Sequence, residues 1–216
     1  MTDEPSLRER LIDVGVDLVM TEGSASLGLR EIARRAGVSH GAPRRYFPTH
    51  HALLSAIAQR GFEDLGGRFA AVIAETRAPR AQLGAVGRAY VAYALDCRGM
   101  FELMFRHDLL DSEQHAAGER RLRESSLLQF ERMVDLVARC QATRDAAPQP
   151  GTPQFCAPPE MVAAALWSNL HGIAQLWAWG SIPLALTPPE GSAGGDDQLE
   201  QLITAALDAH LGPVKA

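Results

Sequence analysis

An arginine-rich stretch near the amino end carries the side chains best suited to chemistry with an anion. Residues 24–61 contain one acid, Glu31, and six arginines: Arg30, Arg34, Arg35, Arg44, Arg45 and Arg60. Six positive charges and one negative charge give this segment +5, so the remainder of a chain of net charge −5 carries −10. Guanidinium groups bind phosphate through a planar fork of donors, and a local positive field attracts polyanions. Charge alone is equally compatible with an ordinary solvated basic surface.

Patterns that would indicate an enzyme or a metalloprotein are absent from the sequence. We find no glycine-rich phosphate loop, no Ser-His-Asp signature and no paired carboxylate motif. His171 lacks a metal-ligating neighbour at the three- or four-residue spacing of a helix face. No such geometry surrounds His50, His51 or His107 either. We therefore expect no metal, no cofactor and no catalytic activity.

The arginines flank a pattern typical of two short helices joined by a glycine turn. Apolar side chains recur on one face of the first helix: Ile32, Ala33 and Ala36. Gly37 follows, where a helix commonly ends in a left-handed conformation that glycine adopts at least cost. A second short helix is predicted over Ser39–Tyr46, since Ser39 is a suitable N-cap and Pro48 ends the pattern.

Pro43 leaves the beginning of this second helix open between two residues. If Ser39 is the N-cap, Pro43 cannot donate a hydrogen bond back to the Ser39 carbonyl. If His40 is the cap, the proline lies in the first turn, where it is tolerated. The start of the helix is therefore predicted to within about one residue.

Residues 29–54 resemble the DNA-binding domain of the TetR family of bacterial transcriptional regulators. The family pattern is roughly L-R-E-I-A-x-x-A-G-V-S-x-G-x-x-Y-x-[HY]-F-x-[ST]-K-x-x-L, and the matching positions are Leu29, Arg30, Glu31, Ile32, Ala33, Ala36, Gly37, Val38, Ser39, Gly41, Tyr46, Phe47, Thr49 and Leu53. Arg44 stands where the family has a phosphate-contacting tyrosine, and His50 where it has a phosphate-contacting lysine. Arginine suits phosphate, whereas histidine is charged only part of the time near neutral pH.

The resemblance implies a helix-turn-helix that places its second helix in the major groove of double-stranded DNA. The expected contact residues are Arg30, Ser39, His40, Gly41, Ala42, Arg44, Arg45, Tyr46, Thr49 and His50. His40 and Ala42 face base edges in this arrangement, the Ala42 methyl suiting a thymine methyl. The arginines and the remaining polar side chains hold or approach phosphates.

Helical periodicity continues along the rest of the chain, so the predicted fold is all-α with about nine helices. The other helices are expected at residues 6–23, Thr49–Arg77, Pro79–Arg98, Met100–Leu110, Asp111 or Ser112 to Ala142, Glu160–Gly180 and Leu199–Leu211. Thr143–Pro159 and Ser181–Gln198 are predicted loops, because they are rich in proline and glycine and lack periodicity. By the resemblance, residues 1–48 form a three-helix DNA-binding domain. A long helix joins it to an effector-binding and dimerisation domain over residues 49–216.

The predicted second domain holds candidates for a small-molecule site. They are Phe101, Phe105, Met133, Trp167 and His171. Aromatic and sulfur-containing side chains with a few polar groups suit a small apolar or aromatic effector, although such a stripe at helical spacing is more often plain core. Trp167 and His171 also resemble the W-H-G pattern of one TetR C-terminal domain class. His171 is either the polar anchor of that site or a core histidine bonded to a backbone carbonyl or a helix neighbour.

The resemblance also implies a homodimer, which we assign to the Glu160–Gly180 and Leu199–Leu211 helices. A two-fold dimer presents two reading helices about 34 to 36 Å apart to a near-palindromic operator. No apolar run approaches the roughly 18 residues needed to span a bilayer. The acidic N-terminus lacks the features of a signal peptide, so we expect a cytoplasmic protein without a membrane partner. The scattered Cys97, Cys140 and Cys156 fit reduced thiols.

The function predicted from these features is that of a dimeric TetR-like regulator. We expect a repressor that a small-molecule effector releases from its operator. Two alternatives stay open: a DNA-binding regulator that answers to a protein partner or to no effector, and a helical enzyme or carrier whose helix-turn-helix is incidental. The missing catalytic constellation argues against the enzyme.

Overall fold

A computed structural model describes residues 6–110, 122–145, 157–186 and 195–213, and the regular secondary structure in those ranges is helical throughout. The α-helices are α1 (Leu7–Glu22), α2 (Leu29–Arg35), α3 (His50–Ala74), α4 (Pro79–Asp96), α5 (Arg98–Met104), α6 (His107–Leu110), α7 (Leu122–Asp145), α8 (Pro159–Ala178), α9 (Ser181–Ala185) and α10 (Gly195–Leu211). Two three-residue 3₁₀ helices, Ser24–Ser26 and Pro43–Arg45, complete the set. The predicted all-α class is confirmed.

The chain divides into two compact units. The first comprises residues 1–65 and 97–127, and the second comprises residues 66–96 and 128–216. Helices α3 and α7 therefore contribute residues to both units. The functional division at residue 48 stays a prediction, since the compact units describe packing rather than activity.

The core of the first unit forms where α1 packs against α2 and α5. Gly15 on α1 makes room for Ile57 of α3, because a Cβ at position 15 would lie 2.3 Å from Ile57 Cδ1. Ile57 and Ile32 are fully buried in this core. The predicted first helix at residues 6–23 matches α1, whose N-terminal amide of Glu9 is capped by the Ser6 side chain.

Helix α5 is packed tightly into the same unit although it lies far along the sequence. A Cβ on Gly99 would lie 2.4 Å from the carbonyl oxygen of Val19, and one on Gly61 would lie 2.5 Å from the Met104 sulfur. The predicted single helix Met100–Leu110 is wrong, because the chain ends α5 at Met104 and starts α6 at His107. Between them the Arg106 amide donates to Leu103, the tighter three-residue bond that often closes a helix.

Helices α4, α8 and α10 pack against one another in the second unit. Their buried side chains include Leu83, Val86, Tyr90, Val91, Ala94, Ala163, Leu166, Leu170, Ala174, Ile203, Ala206 and Leu207. Two ion pairs link α4 to α10: Arg88 with Glu200 at 2.6 Å and Arg80 with Asp208 at 2.5 Å. The apolar faces of the three helices thus form a shared core, and the two ion pairs link α4 to α10 at its edge.

A buried amide closes the end of α3 within the second unit. Gln82 donates from Nε2 to the carbonyl oxygens of Ile73 at 3.0 Å and Thr76 at 2.8 Å. The last carbonyls of a helix have no partner inside the helix. Gln82 therefore caps α3 from the first turn of α4.

The predicted loop Ser181–Gln198 is wrong at both ends. Gly180 takes a left-handed φ of 77° after α8, and the chain then forms α9 at once. Pro183 fits there because it lies in the first turn of α9, where its missing amide hydrogen costs nothing. At the other end α10 begins at Gly195 rather than Leu199.

Other predicted boundaries are close, or lie outside the described residues. Helix α3 ends at Ala74, three residues before the predicted Arg77, and α8 runs Pro159–Ala178. The predicted start of α7 at Asp111 or Ser112 and most of the Thr143–Pro159 loop lie outside the described ranges. Cys156 lies outside them too, while Cys97 and Cys140 form no disulfide in the described part. Among the helices of that part, none has both the length and the apolar character to cross a membrane.

Candidate nucleic-acid interface

The turn after α2 holds its shape through backbone hydrogen bonds and one arginine. Gly37 adopts φ 69°, its amide donates to the Arg34 carbonyl at 3.2 Å, and the Val38 amide donates to Ala33 at 3.0 Å. This pair of bonds is the Schellman motif of a helix C-terminus. Arg10 of α1 adds a bond from Nη2 to the Ala36 carbonyl at 2.9 Å. The glycine turn predicted from the sequence is therefore present and anchored to α1.

The segment after this turn is not the α-helix predicted over Ser39–Tyr46. The Ala42 amide donates to the Ser39 carbonyl at 3.0 Å, and the chain then forms the 3₁₀ helix Pro43–Arg45. Neither proposed cap is used, since Ala42 precedes the 3₁₀ helix and makes no side-chain capping bond. The physical reason is Pro43, which has no amide hydrogen to offer the Ser39 carbonyl.

The same segment lies at the surface of the first unit. Its exposed residues are Ser39, His40, Gly41, Arg44, Arg45 and Tyr46. Ala42 is half-buried, while Pro43 and Phe47 are buried and fix the segment to the unit. Arg8 of α1 lies over the Phe47 ring, 5.4 Å from its centroid. Pro43 and Phe47 thus anchor the segment, and the residues predicted to contact DNA lie at its surface.

Three of the six arginines are engaged with carboxylates. Glu31 accepts two bonds from Arg34, at 2.6 and 2.9 Å, and one from Arg35 at 2.7 Å. The hydrogen bonds from Arg34 and then Arg35 lower the pKa of Glu31 to about 2, so this carboxylate stays charged. Arg35 also pairs with Glu22 of α1. Arg60 pairs with Glu9 and Glu63.

The remaining three arginines, Arg30, Arg44 and Arg45, are exposed. Within the described ranges none of them forms an ion pair with a carboxylate. The positive charge available to a polyanion is therefore concentrated on fewer residues than a count along the sequence predicts. Counting residues 24–61 missed this pairing because Glu9 and Glu22 reach the segment from α1.

Thr49 and His50 make local bonds at the start of α3. Thr49 Oγ1 accepts the Ala52 amide at 3.1 Å and so caps the helix. His50 Nε2 lies 2.5 Å from the Leu27 carbonyl, so Nε2 carries a hydrogen and donates it to that oxygen. A neutral His50 then has only an acceptor at Nδ1, so the ring can donate to a phosphate only when it is protonated.

A polar cluster joins α4 and α8 in the second unit. Trp167 Nε1 donates to the Tyr90 hydroxyl at 3.0 Å, and that hydroxyl lies 2.8 Å from His171 Nδ1. Because indole is only a donor, the Tyr90 oxygen accepts from Trp167, and the Tyr90 proton can donate to Nδ1. Burial raises the pKa of Tyr90 and lowers the pKa of His171, so both side chains are neutral near neutral pH. The partner of Nδ1 is thus a tyrosine on another helix, rather than a backbone carbonyl or a neighbour on α8.

The five predicted ligand residues are distributed over both units. Phe101 and Phe105 belong to the first, where the Phe105 ring packs against Phe101 at 4.8 Å and Phe62 at 5.6 Å between centroids. Met133, Trp167 and His171 belong to the second. Phe130 lies 5.9 Å from Trp167 between ring centroids.

Sequence reasoning missed Tyr90 as a member of the polar cluster. The signal was available in part, since Tyr90 shares the inner face of α4 with Val86, Tyr93 and Ala94, but nothing in the sequence pairs α4 with α8. In the described part of the chain, no group of three His, Cys, Asp or Glu side chains could hold a metal ion.

Comparison with known proteins finds two family profiles along the chain. The family described as "Bacterial regulatory proteins, tetR family" matches residues 11–57. The family described as "Tetracyclin repressor-like, C-terminal domain" matches residues 83–206, more than half of the chain.

Individual relatives agree with these matches. The HTH-type transcriptional regulator BetI of Brucella anthropi is 31% identical over 83 residues, which cover 38% of this chain and 43% of that relative. A protein of unknown function from Rhodococcus sp. RHA1 superposes with a TM-score of 0.72 at 27% identity, covering 97% of this chain and 96% of that one. A TetR/AcrR-family regulator from Thermobifida fusca shares the fold with a TM-score of 0.59 at 24% identity, covering 93% of this chain and 96% of that one.

We predict that Gly37→Ala lowers the free energy of unfolding by about 1 to 2 kcal/mol, because alanine is strained at a left-handed φ. A Cβ at position 37 would meet no atom within 4 Å, so the whole cost comes from the backbone. Gly41→Ala is the matched control: its Cβ would also meet nothing, and its φ is not positive. Urea unfolding of the two variants checks this, and equal stabilities would contradict the role of the turn.

Proposed function

The chain belongs to the TetR family of bacterial transcriptional regulators, and on that premise we propose that it is a homodimeric repressor. It binds double-stranded operator DNA through the exposed segment Ser39–Tyr46, and a small apolar or aromatic effector releases it. The observation that carries the proposal is the exposure of Arg44 and Arg45 in this segment and of Arg30 on α2, without carboxylate partners in the described part of the chain.

The proposed DNA contacts are those that the family resemblance implies, and the chemistry of each side chain suits its role. His40 and Ala42 face base edges in the major groove, and Ser39 and Gly41 allow close approach of the backbone. The phosphate contacts come from Arg30, Arg44, Tyr46, Thr49 and His50, and Arg45 is a further DNA contact. The hydroxyl of Thr49 keeps its proton for a phosphate while its oxygen caps α3. His50 joins them in its protonated form.

The proposed dimer uses the outer faces of α8 and α10. Along α8 and its C-terminal cap, uncharged side chains recur every three or four residues: Met161, Ala165, Ser168, Gly172, Leu176 and Trp179. Met161 is 65% exposed and Trp179 is 61% exposed, while the opposite face of α8 is buried against α4 and α10. The outer face of α10 likewise carries uncharged Gln201, Thr204, Ala205 and Ala209. An apolar face of this length in contact with water suits a second copy of the chain.

The proposed effector contacts in the second unit are Met133, Trp167 and His171, while Phe101 and Phe105 stay candidates within the first unit. The hydroxyl and imidazole of the polar cluster supply hydrogen bonds beside the aromatic rings, a combination that orients a small apolar ligand. The effector favours a conformer whose two reading segments no longer match the spacing of the groove. It does so only to the extent that it binds that conformer more tightly.

We predict that Arg44→Ala weakens binding to every duplex sequence. The slope of log affinity against log salt concentration should fall by about one for each subunit, because one phosphate contact is lost per subunit. Titration of a fluorescent duplex at several salt concentrations measures both effects.

Arg34→Ala is the matched control, since Arg34 is bonded to Glu31 and should contribute little to the salt slope. An Arg44→Ala protein with an unchanged slope would show that Arg44 does not contact phosphate. Wild-type protein that binds no duplex at low salt would refute the regulator as proposed.

Gly172→Arg should convert the dimer to a monomer without unfolding the chain. A Cβ at position 172 meets no atom within 4 Å, so the single chain accommodates the side chain, whereas a close helix contact between copies does not. Gly67→Arg on α3 is the control, because that glycine also has open space around its Cβ. Light scattering coupled to size exclusion gives the mass, and a Gly172→Arg dimer would place the interface elsewhere.

A panel of small apolar and aromatic compounds tests the effector. A compound present at about 100 times its Kd should stabilise the native protein by about 2.7 kcal/mol and raise its unfolding temperature. His171→Ala should abolish that shift and the release from DNA while leaving DNA affinity intact. Loss of folding in this variant would instead assign His171 to the core, and a panel without any shift would favour a regulator that uses no such effector.

A further inference from the structure

The hydrogen bonds around Pro43 determine the shape of the reading segment. The Ser39 carbonyl accepts from the Ala42 amide, three residues on, at 3.0 Å. The Ala42 carbonyl in turn accepts from the Arg45 amide at 3.2 Å. In an α-helix the Ser39 carbonyl would accept from residue 43, and the proline ring both removes that donor and clashes with the carbonyl. A regular α-helix from Ser39 onward would therefore leave the Ser39 carbonyl without its backbone donor.

The 3₁₀ geometry separates Arg44 from Arg45. With three residues per turn, successive side chains point about 120° apart. Pro43 is buried and points inward, so the two arginines that follow leave the turn in different directions, and both are exposed.

The same geometry aligns Arg45 with Ala42. Residues three apart eclipse one another in a 3₁₀ turn, and the Arg45 amide is bonded to the Ala42 carbonyl. Arg44 stands instead on the side of Gly41, which has no side chain. If Ala42 faces base edges, as the proposed function has it, Arg45 extends from that side as well.

We propose that Pro43 positions Arg45 to read a guanine in each half-site, while Arg44 holds the phosphate backbone. This inference rests on the proposed function and adds a specificity-determining residue to it. An arginine binds the O6 and N7 atoms of guanine through two parallel hydrogen bonds, the commonest base-specific contact in the major groove. Among the described residues no carboxylate pairs with Arg45, so its guanidinium reaches the base without breaking an ion pair.

Selection of duplexes from a random pool tests the assignment of Arg45. The wild-type protein should select one guanine in each half-site that Arg45→Lys and Arg45→Ala no longer select. The affinity of Arg45→Ala for the selected site should fall roughly 10- to 100-fold. The loss should be larger for the selected site than for random duplex, because a base contact is lost. Arg44→Ala should keep the guanine preference and lose affinity for all sequences alike.

The opposite pattern overturns the inference. It fails if Arg45→Lys selects the same sequence as wild type, or if Arg45→Ala weakens all sequences equally and lowers the salt slope. A wild-type protein that ignores duplex DNA at low salt would sink the proposed function and this inference with it. Binding with an unaltered guanine preference in the Arg45 variants would sink the inference alone.

Pro43→Ala tests the positioning role separately. Alanine restores an amide donor for the Ser39 carbonyl, so the segment can rewind toward an α-helix, and Arg45 then rotates by about 60° from its alignment with Ala42. The variant should lose or shift the guanine preference while it still binds random duplex at low salt. Pro48→Ala, at the exposed proline that follows the segment, should leave the selected sequence unchanged. A Pro43→Ala protein with the wild-type sequence preference would refute the positioning role, even if its stability changed.

Discussion

Pro43 has no amide hydrogen, and this missing donor determines the backbone conformation of the exposed segment Ser39–Tyr46. These eight residues follow the glycine turn and begin with a good N-cap. Without the proline they would form an α-helix. The missing donor forces the Ser39 carbonyl to its nearer partner at Ala42, and the chain tightens into one 3₁₀ turn. Burial of Pro43 and Phe47 then holds that turn on the first unit with its arginines outward. The local backbone chemistry thus decides where the charge is displayed.

Ion pairs with carboxylates further reduce the number of arginines that are available to a phosphate. Glu31 and acids from α1 engage Arg34, Arg35 and Arg60, so these arginines are held along the surface of the first unit. Such exposed pairs contribute little stability individually. Their larger effect is on position, since a guanidinium that is bonded to a carboxylate is less available to a phosphate. A basic segment with internal acids can in this way confine its contacts to a few residues.

Local signals in the sequence predicted part of this structure well. The glycine turn, α1, α3 and α8 were all predictable, because caps, left-handed glycines and apolar periodicity act over a few residues. The reading segment was predicted with the wrong hydrogen-bond pattern, although the conflict at Pro43 was visible in the sequence. Other features depend on contacts between residues that are far apart in the sequence. They are the pairing of Tyr90 with His171, the pairing of Arg35 with Glu22, and the packing of α5 against α1. No periodicity within one helix specifies which other helix it meets.

Gly99 packs closely against the Val19 carbonyl, and this contact affects how the protein can be divided into fragments. Helix α5 follows α4 in the sequence, yet it completes the hydrophobic surface of α1. A fragment that stops at residue 65 would carry the whole reading segment but would leave that surface bare to solvent. A minimal DNA-binding fragment therefore needs α5 joined to it so that α5 again packs against α1. Truncation at residue 65 alone is not sufficient.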